Sequence, residues 1–328
     1  MKKIKVLTGV AICAALLQFT ACKNNVAVSD NSAVEIISDS LPITIDSLRN
    51  RAIFRTQNDS LVEALQDIDV VINNEGLTVE NGIALSEIYL LMGKADQAQR
   101  TLYNVLETHP EDAQLFTAMA RVFLIRQNYA MCHNYVAKAY ELDPSLTMPV
   151  FYDGLANAEE GDTIKAINCF SNVLLVDPEH YDSMIQLGLI YSSQKDPLAA
   201  QYLQRALEIF PESTEAWHLL GLFYQETGSY RKALETYDRI LQFAPKYVHA
   251  LYNTGFVHLV YLSNYDSAAL YFDKAISIQP EYVDALYNLG YAYELSGEFE
   301  EARKYYRRVL EIRPDYVYAI QGIQRVRP

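Results

Sequence analysis

The chain has 328 residues, half of them hydrophobic and 21% charged, a composition that supplies a core and argues against an intrinsically disordered protein. Its formal net charge is -14, so the surface repels nucleic-acid phosphates and anionic lipid, and no nucleic-acid partner is expected. The 25 tyrosines against 12 phenylalanines and one tryptophan point to half-buried positions, where a ring packs and a hydroxyl meets water or a bound chain.

In chain order, Met1 to Lys5 is a short cationic stretch and Val6 to Leu17 an apolar run, the length of a signal-peptide core and too short for a comfortable membrane span. Leu17-Gln18-Phe19-Thr20-Ala21-Cys22 follows. It resembles a bacterial lipobox, with Phe19 where a branched aliphatic is more usual. The resemblance implies a signal peptide over residues 1–21 and a lipidated Cys22, which would hold the chain on a membrane without a spanning helix. Lys23 takes the place of an aspartate that would mark inner-membrane retention, so an outer-membrane lipoprotein facing the periplasm is expected. Residues 22–45, rich in Ser, Asp, Asn and Val, read as a flexible tether. Ala64, Ile68 and Val71 then fit a degenerate helix pair over 46–78.

From there the sequence repeats. Prolines stand at 110, 144, 178, 211, 245, 280 and 314, with spacings of 33 to 35, and each closes a helix-period segment that a proline cannot continue. One copy carries Trp217, Leu220, Gly221, Tyr224, Ala233, Tyr237 and Pro245; the last carries Leu286, Leu289, Gly290, Tyr293, Ala302, Tyr306 and Pro314. These residues resemble the tetratricopeptide repeat, a helix-turn-helix unit of about 34 residues. The copy before Pro211 loses one residue between its helices, and the copy before Pro280 gains one in the Leu262-Ser263-Asn264-Tyr265 turn. The resemblance implies an all-α, right-handed superhelical solenoid, with seven repeats over 79–314 and a capping helix over 315–328.

In this family the first helix of each pair lines a concave groove, at motif positions 2, 5, 6, 9 and 12. Carried onto this chain, the resemblance selects His218, Tyr252, Asn253, Phe256, Tyr287, Asn288 and Tyr291 as the partner-binding groove. The twin strings Ala250-Leu251-Tyr252-Asn253 and Ala285-Leu286-Tyr287-Asn288 set a Tyr-Asn pair at the same site in successive repeats. Asparagine amides there are placed to bond the backbone of an extended peptide; the alternative is that the rings pack on neighbouring helices and the amides meet water. Arg303, Lys304, Arg307 and Arg308 read as a solvated outer face, and Cys132 and Cys169 as small buried fillers.

No catalytic or metal constellation emerges. The six histidines make no pair at metal-ligand spacing, and the chain has no His-Glu-x-x-His, Gly-x-Ser-x-Gly or phosphate-cradling string. The expectation is therefore a non-enzymatic scaffold or adaptor of the cell envelope with no cofactor. It would bind other proteins or peptides through the groove and the membrane through Cys22. A module for a non-protein ligand such as peptidoglycan or another glycan is the alternative.

Overall fold

A computed structural model describes residues 45–57 and 60–327. The signal peptide, Cys22 and nearly all of the tether expected ahead of them lie outside the described residues. Among the described residues there are helices and turns and no strand, and no helix there is long and apolar enough to cross a membrane.

The chain divides into two compact units, the first ending at Ser183 and the second beginning at Met184. The first contains α1 (Ile45–Gln57), α2 (Leu61–Glu75), α3 (Val79–Leu91), α4 (Ala95–Leu106), α5 (Ala113–Ile125), α6 (Tyr129–Leu142), α7 (Thr147–Glu159) and α8 (Thr163–Val176). Helix α9 (Tyr181–Ser193) spans the boundary. The second holds α10 (Leu198–Ile209), α11 (Thr214–Glu226), α12 (Tyr230–Phe243), α13 (Val248–Phe256), which runs into a π-helical turn (Val257–Tyr261), then α14 (Tyr265–Ile278), α15 (Val283–Ser296), α16 (Phe299–Ile312) and α17 (Val317–Arg325).

Within each unit, consecutive helices pack as hairpins and successive hairpins stack. Local chemistry sets the helix ends. Thr78, Asp112, Asn128, Asp162, Ser213 and Asn264 cap helix N-termini by accepting a backbone N–H two or three residues into the helix. The prolines of the repeat stand two residues beyond the ends of α6, α8, α10, α12, α14 and α16.

In the α3–α4, α7–α8, α9–α10, α11–α12, α13–α14 and α15–α16 hairpins an aromatic or aliphatic side chain is seated on a glycine, whereas α5–α6 has no glycine. In the α11–α12 pair the ring of Tyr237, fully buried, lies so close to Gly221 that a Cβ there would sit 2.4 Å from its Cε1. Phe170 bears on Gly154 in the same way in the α7–α8 pair. At the C-terminal end the fully buried Tyr306 is flanked by Gly290 and by Gly322 of α17, so α17 covers the last hairpin. Its far end is clasped: Glu294 accepts two hydrogen bonds from Arg325, at 2.5 and 2.9 Å, and one from Tyr306 Oη at 2.6 Å.

The first hairpin is held differently. Ala64, Ile68 and Val71 of α2 are fully buried with Leu48 and Ala52 of α1. Beside them the buried Asp67 accepts a two-pronged bond from Arg51, at 2.8 and 2.7 Å, and a third from Arg55 at 2.8 Å.

Two details correct the sequence reading. The extra residue before Pro280 is not in the interhelix turn. Trp217 precedes its left-handed turn residue Gly228 by eleven positions and Leu251 precedes Ser263 by twelve, so the insertion is taken up inside the helix, as the π-helical turn Val257–Tyr261. The basic cluster is also not a continuous solvated face. Arg303 is buried, donating to the carbonyl of Val326 and pairing with Glu300, which leaves Lys304 and Arg307 exposed.

Candidate functional site

The seven groove residues expected from the sequence fall on three first helices of the second unit: His218 on α11; Tyr252, Asn253 and Phe256 on α13; Tyr287, Asn288 and Tyr291 on α15. The helices are tied together by those side chains. Asn253 Nδ2 lies 2.9 Å from His218 Nε2, and Asn288 Nδ2 donates to Tyr252 Oη at 3.0 Å. Each asparagine thus bonds back to the ring at motif position 5 of the preceding repeat. One amide N–H of each asparagine is committed inside the wall, while the amide oxygens take no hydrogen bond among the described residues.

Burial, reinforced by the nearby His249 ring at 5.9 Å, pushes the His218 imidazole down to about 4, so at neutral pH the ring is uncharged; with Asn253 Nδ2 turned toward it, the tautomer that fits the rung carries its proton on Nδ1 and accepts at Nε2. Burial lowers His249 as well.

Three tyrosines that sequence reasoning missed stand beside the rings at motif position 5. Tyr247 lies 5.8 Å from His218, Tyr282 lies 5.1 Å from Tyr252, and Tyr316 lies 5.5 Å from Tyr287. The signal was present in Pro245-Lys246-Tyr247-Val248, Pro280-Glu281-Tyr282-Val283 and Pro314-Asp315-Tyr316-Val317, just ahead of the first helices. Burial raises the hydroxyls of Tyr252 and Tyr316, and Tyr282 rises to about 12 from burial and the charge of Asp284. All three rings therefore stay neutral donors. Asn253 and Asn288 are themselves buried, and Phe256 is the apolar member of the set. It is buried in the core with Leu251, Leu259 and Phe272 and supports Tyr252, 6.2 Å away, so it offers no surface to a partner.

The first unit carries a polar counterpart. Glu87 on α3 and Arg121 on α5 form an ion pair at 2.5 Å, and the same guanidinium offsets part of the rise that burial gives the Tyr152 hydroxyl on α7. Arg121 is one 34-residue repeat beyond Glu87 in the sequence, so the pair links equivalent sites on successive first helices. Nearby, His133 of α6 bridges Asp153 (Nδ1, 2.6 Å) and Glu160 (Nε2, 3.0 Å). Burial pulls this imidazole down, but the hydrogen bonds and charges of the two carboxylates outweigh it and hold it above the ordinary histidine value. Cys132 and Cys169 carry free thiols. Cys132 is fully buried, whereas Cys169 is half-buried and donates to Asp153 at 3.3 Å. Burial, then the charge of Asp153, pushes both thiols up to about 12, so neither is a nucleophile at neutral pH. No group of His, Cys, Asp and Glu among the described residues is arranged to hold a metal ion.

Stacked helical hairpins faced by a bonded wall of first helices define an all-α solenoid of tetratricopeptide type. Tetratricopeptide repeats are detected at residues 154–214 and 256–317, and by a second model of the same repeat at 198–253. The chain is similar to the anaphase-promoting complex subunit 3 of Schizosaccharomyces pombe (25% identity over 51% of this chain and 25% of that protein). It is also similar to the BBSome complex member BBS4 of Bos taurus (27% identity over 56% of this chain and 35% of that protein). It thus spans between a quarter and about a third of the length of these curated relatives. Among solved structures, the APC/C hetero-tetramer Cut9-Hcn1 matches with a TM-score of 0.56 at 15% identity, covering 87% of this chain and 55% of that one, a likeness of fold.

Proposed function

We propose that this protein is a non-catalytic scaffold of the bacterial cell envelope, anchored by a lipid on Cys22, that holds other proteins against the first-helix wall of its second unit. The observation that carries the reading is the pair of rungs His218–Asn253 and Tyr252–Asn288. They lock rings and amides into one polar-aromatic surface before a partner arrives, which lowers the ordering cost of binding. Its relatives in the anaphase-promoting complex and the BBSome are by name members of multi-subunit assemblies, consistent with a repeat array used for contacts between proteins. The Leu17 to Cys22 string supports the anchor and, with Lys23, an outer-membrane location facing the periplasm.

The test has two independent arms. Labelling with an alkyne fatty acid should mark the wild-type chain and not Cys22→Ser; an unlabelled wild type would refute the anchor alone. A photo-crosslinking amino acid placed at Tyr291, on the wall, should capture discrete proteins in the native host, while one at Leu270, exposed on α14, should not. Capture only from Leu270 would refute the wall as the binding surface. Saturable binding of the purified chain to sacculi, with no protein captured from Tyr291, would favour a glycan ligand instead.

A further inference from the structure

The wall contains one carboxylate whose surroundings specify a ligand chemistry. Asp284, exposed at motif position 2 of α15, accepts a hydrogen bond from Tyr316 Oη at 3.3 Å and has no ion-pair partner among the described residues. Its charge is felt by Tyr252, Tyr282 and Tyr316, so the carboxylate stands at the rim of an aromatic cluster in which Tyr252 and Tyr282 are 5.1 Å apart and Tyr287 and Tyr316 5.5 Å apart.

The same wall shows what such a combination holds. At motif position 12 of α15, Glu294 takes both nitrogens of the Arg325 fork at 2.5 and 2.9 Å, and the guanidinium lies 6.0 Å from the centre of the Tyr291 ring. A second guanidinium, that of Arg313, lies 5.5 Å from the centre of Tyr316 yet makes no ion pair with Asp284. Guanidinium groups therefore already lie over two tyrosines of this wall, and at Tyr291 the neighbouring carboxylate Glu294 takes the fork as well. A planar guanidinium satisfies both at once, by two-pronged hydrogen bonding and by cation–π contact; an ammonium is more strongly hydrated and has no plane to stack. Burial keeps the neighbouring histidines His218 and His249 below their usual value, so they add no positive charge against a cation at neutral pH.

We propose that Asp284, with Tyr252, Tyr282 and Tyr316, forms an arginine-recognition subsite for an extended segment of a partner protein. The inference rests on the reading of the first-helix wall as the protein-binding surface and adds the partner's chemistry to it. The net charge of -14 assists encounter with a basic segment, but the subsite's contribution is local and must survive physiological salt.

The experiment is a selection of a random twelve-residue phage-displayed peptide library on the immobilised full-length chain, at about 0.15 M salt to screen distant charges. It is repeated on Asp284→Asn and on Asp273→Asn, which removes the same charge from an exposed position on α14. Arginine should be enriched at one fixed position on wild type and on Asp273→Asn, and lost on Asp284→Asn. The best recovered peptide, remade with citrulline for that arginine, should bind wild type at least about tenfold more weakly, roughly 1.4 kcal/mol. The same exchange should cost little on Asp284→Asn. Equal losses from Asp284→Asn and Asp273→Asn, or a citrulline peptide that binds as well, would overturn the subsite. If peptides without arginine are recovered and compete with Tyr291 crosslinking, the wall survives as the binding surface and the arginine assignment falls. Recovery of no wall-binding peptide counts against both.

Discussion

Replacing Gly221 by alanine tests whether the α11–α12 hairpin closes over a ring seated on a bare backbone. Built at Gly221, a Cβ would lie 2.4, 2.9 and 3.0 Å from three atoms of the Tyr237 ring, against an optimum of about 3.5–4.0 Å between carbons. The ring has nowhere to retreat: Tyr237 is fully buried and its hydroxyl is fixed on Gln225 Oε1 at 3.1 Å. Overpacking of this kind costs about 1–3 kcal/mol, whereas alanine in place of glycine inside a helix is worth about 1 kcal/mol in the other direction. The substitution should therefore destabilise the second unit, by up to about 2 kcal/mol. With Tyr237 shortened to valine the obstruction disappears, and Gly221→Ala on that background should become stabilising by up to about 1 kcal/mol. The single tryptophan reports on it directly, since Trp217 lies on the same helix and its Nε1 donates to the Pro211 carbonyl at 2.8 Å. Urea unfolding followed by its fluorescence gives all four corners of the cycle. Stabilisation by Gly221→Ala in the presence of Tyr237, or the same sign of effect on both backgrounds, would refute the close-approach argument.

Two further outcomes follow from the wall and the cap. His218 is depressed in the fold, to about 4 from an ordinary 6.5, so its contribution is full above pH 6.5 and drains away as pH falls toward 4, because the unfolded chain then binds the proton and the native wall resists it. The loss amounts to at most about 3 kcal/mol. Trp217 unfolding midpoints at pH 7 and pH 5 should differ more for wild type than for His218→Gln, and parallel shifts would remove His218 as the cause. His249 is shifted the same way, and His133, in the first unit, oppositely, so the variant rather than the raw profile isolates the group. At the C-terminal end, Glu294→Gln removes the largely buried charge that Arg325 and Tyr306 share, so the exposed Arg325 guanidinium loses its two-pronged partner and Tyr306 its ionised acceptor. Hydrogen exchange of α17 should quicken by about tenfold, equivalent to roughly 1.4 kcal/mol of local stability, while that of α11 stays unchanged; unaltered α17 exchange would mean that the Gly322–Tyr306 contact alone holds the helix.

The helical framework was legible because its determinants are local. Prolines, capping residues and small residues opposite large rings each act within a few residues or a single turn, and they recur in phase. The lateral bonds of the wall are another matter. Whether Asn253 faces a ligand or His218 depends on the placement of a helix 35 residues earlier, which periodicity does not encode. Phe256 shares the motif position of Tyr291 yet sinks into the core beside Phe272, just ahead of the π-helical turn. The Glu87–Arg121 pair was accessible in principle, since equal motif positions one repeat apart become neighbours on adjacent first helices. The recurring Pro-x-Tyr-Val strings were likewise visible, but their conventional place ahead of the helix concealed that the rings turn onto the wall.

The π-helical turn at Val257–Tyr261 bears on how such a chain changes length. A residue swallowed by one widened coil leaves the left-handed turn at Ser263 and the seat of Phe272 on Gly255 intact. Arrays of this kind can therefore accept single-codon insertions in their first helices without losing phase, and the added residue shows itself locally as Val260, Tyr261 and Leu262 exposed to solvent.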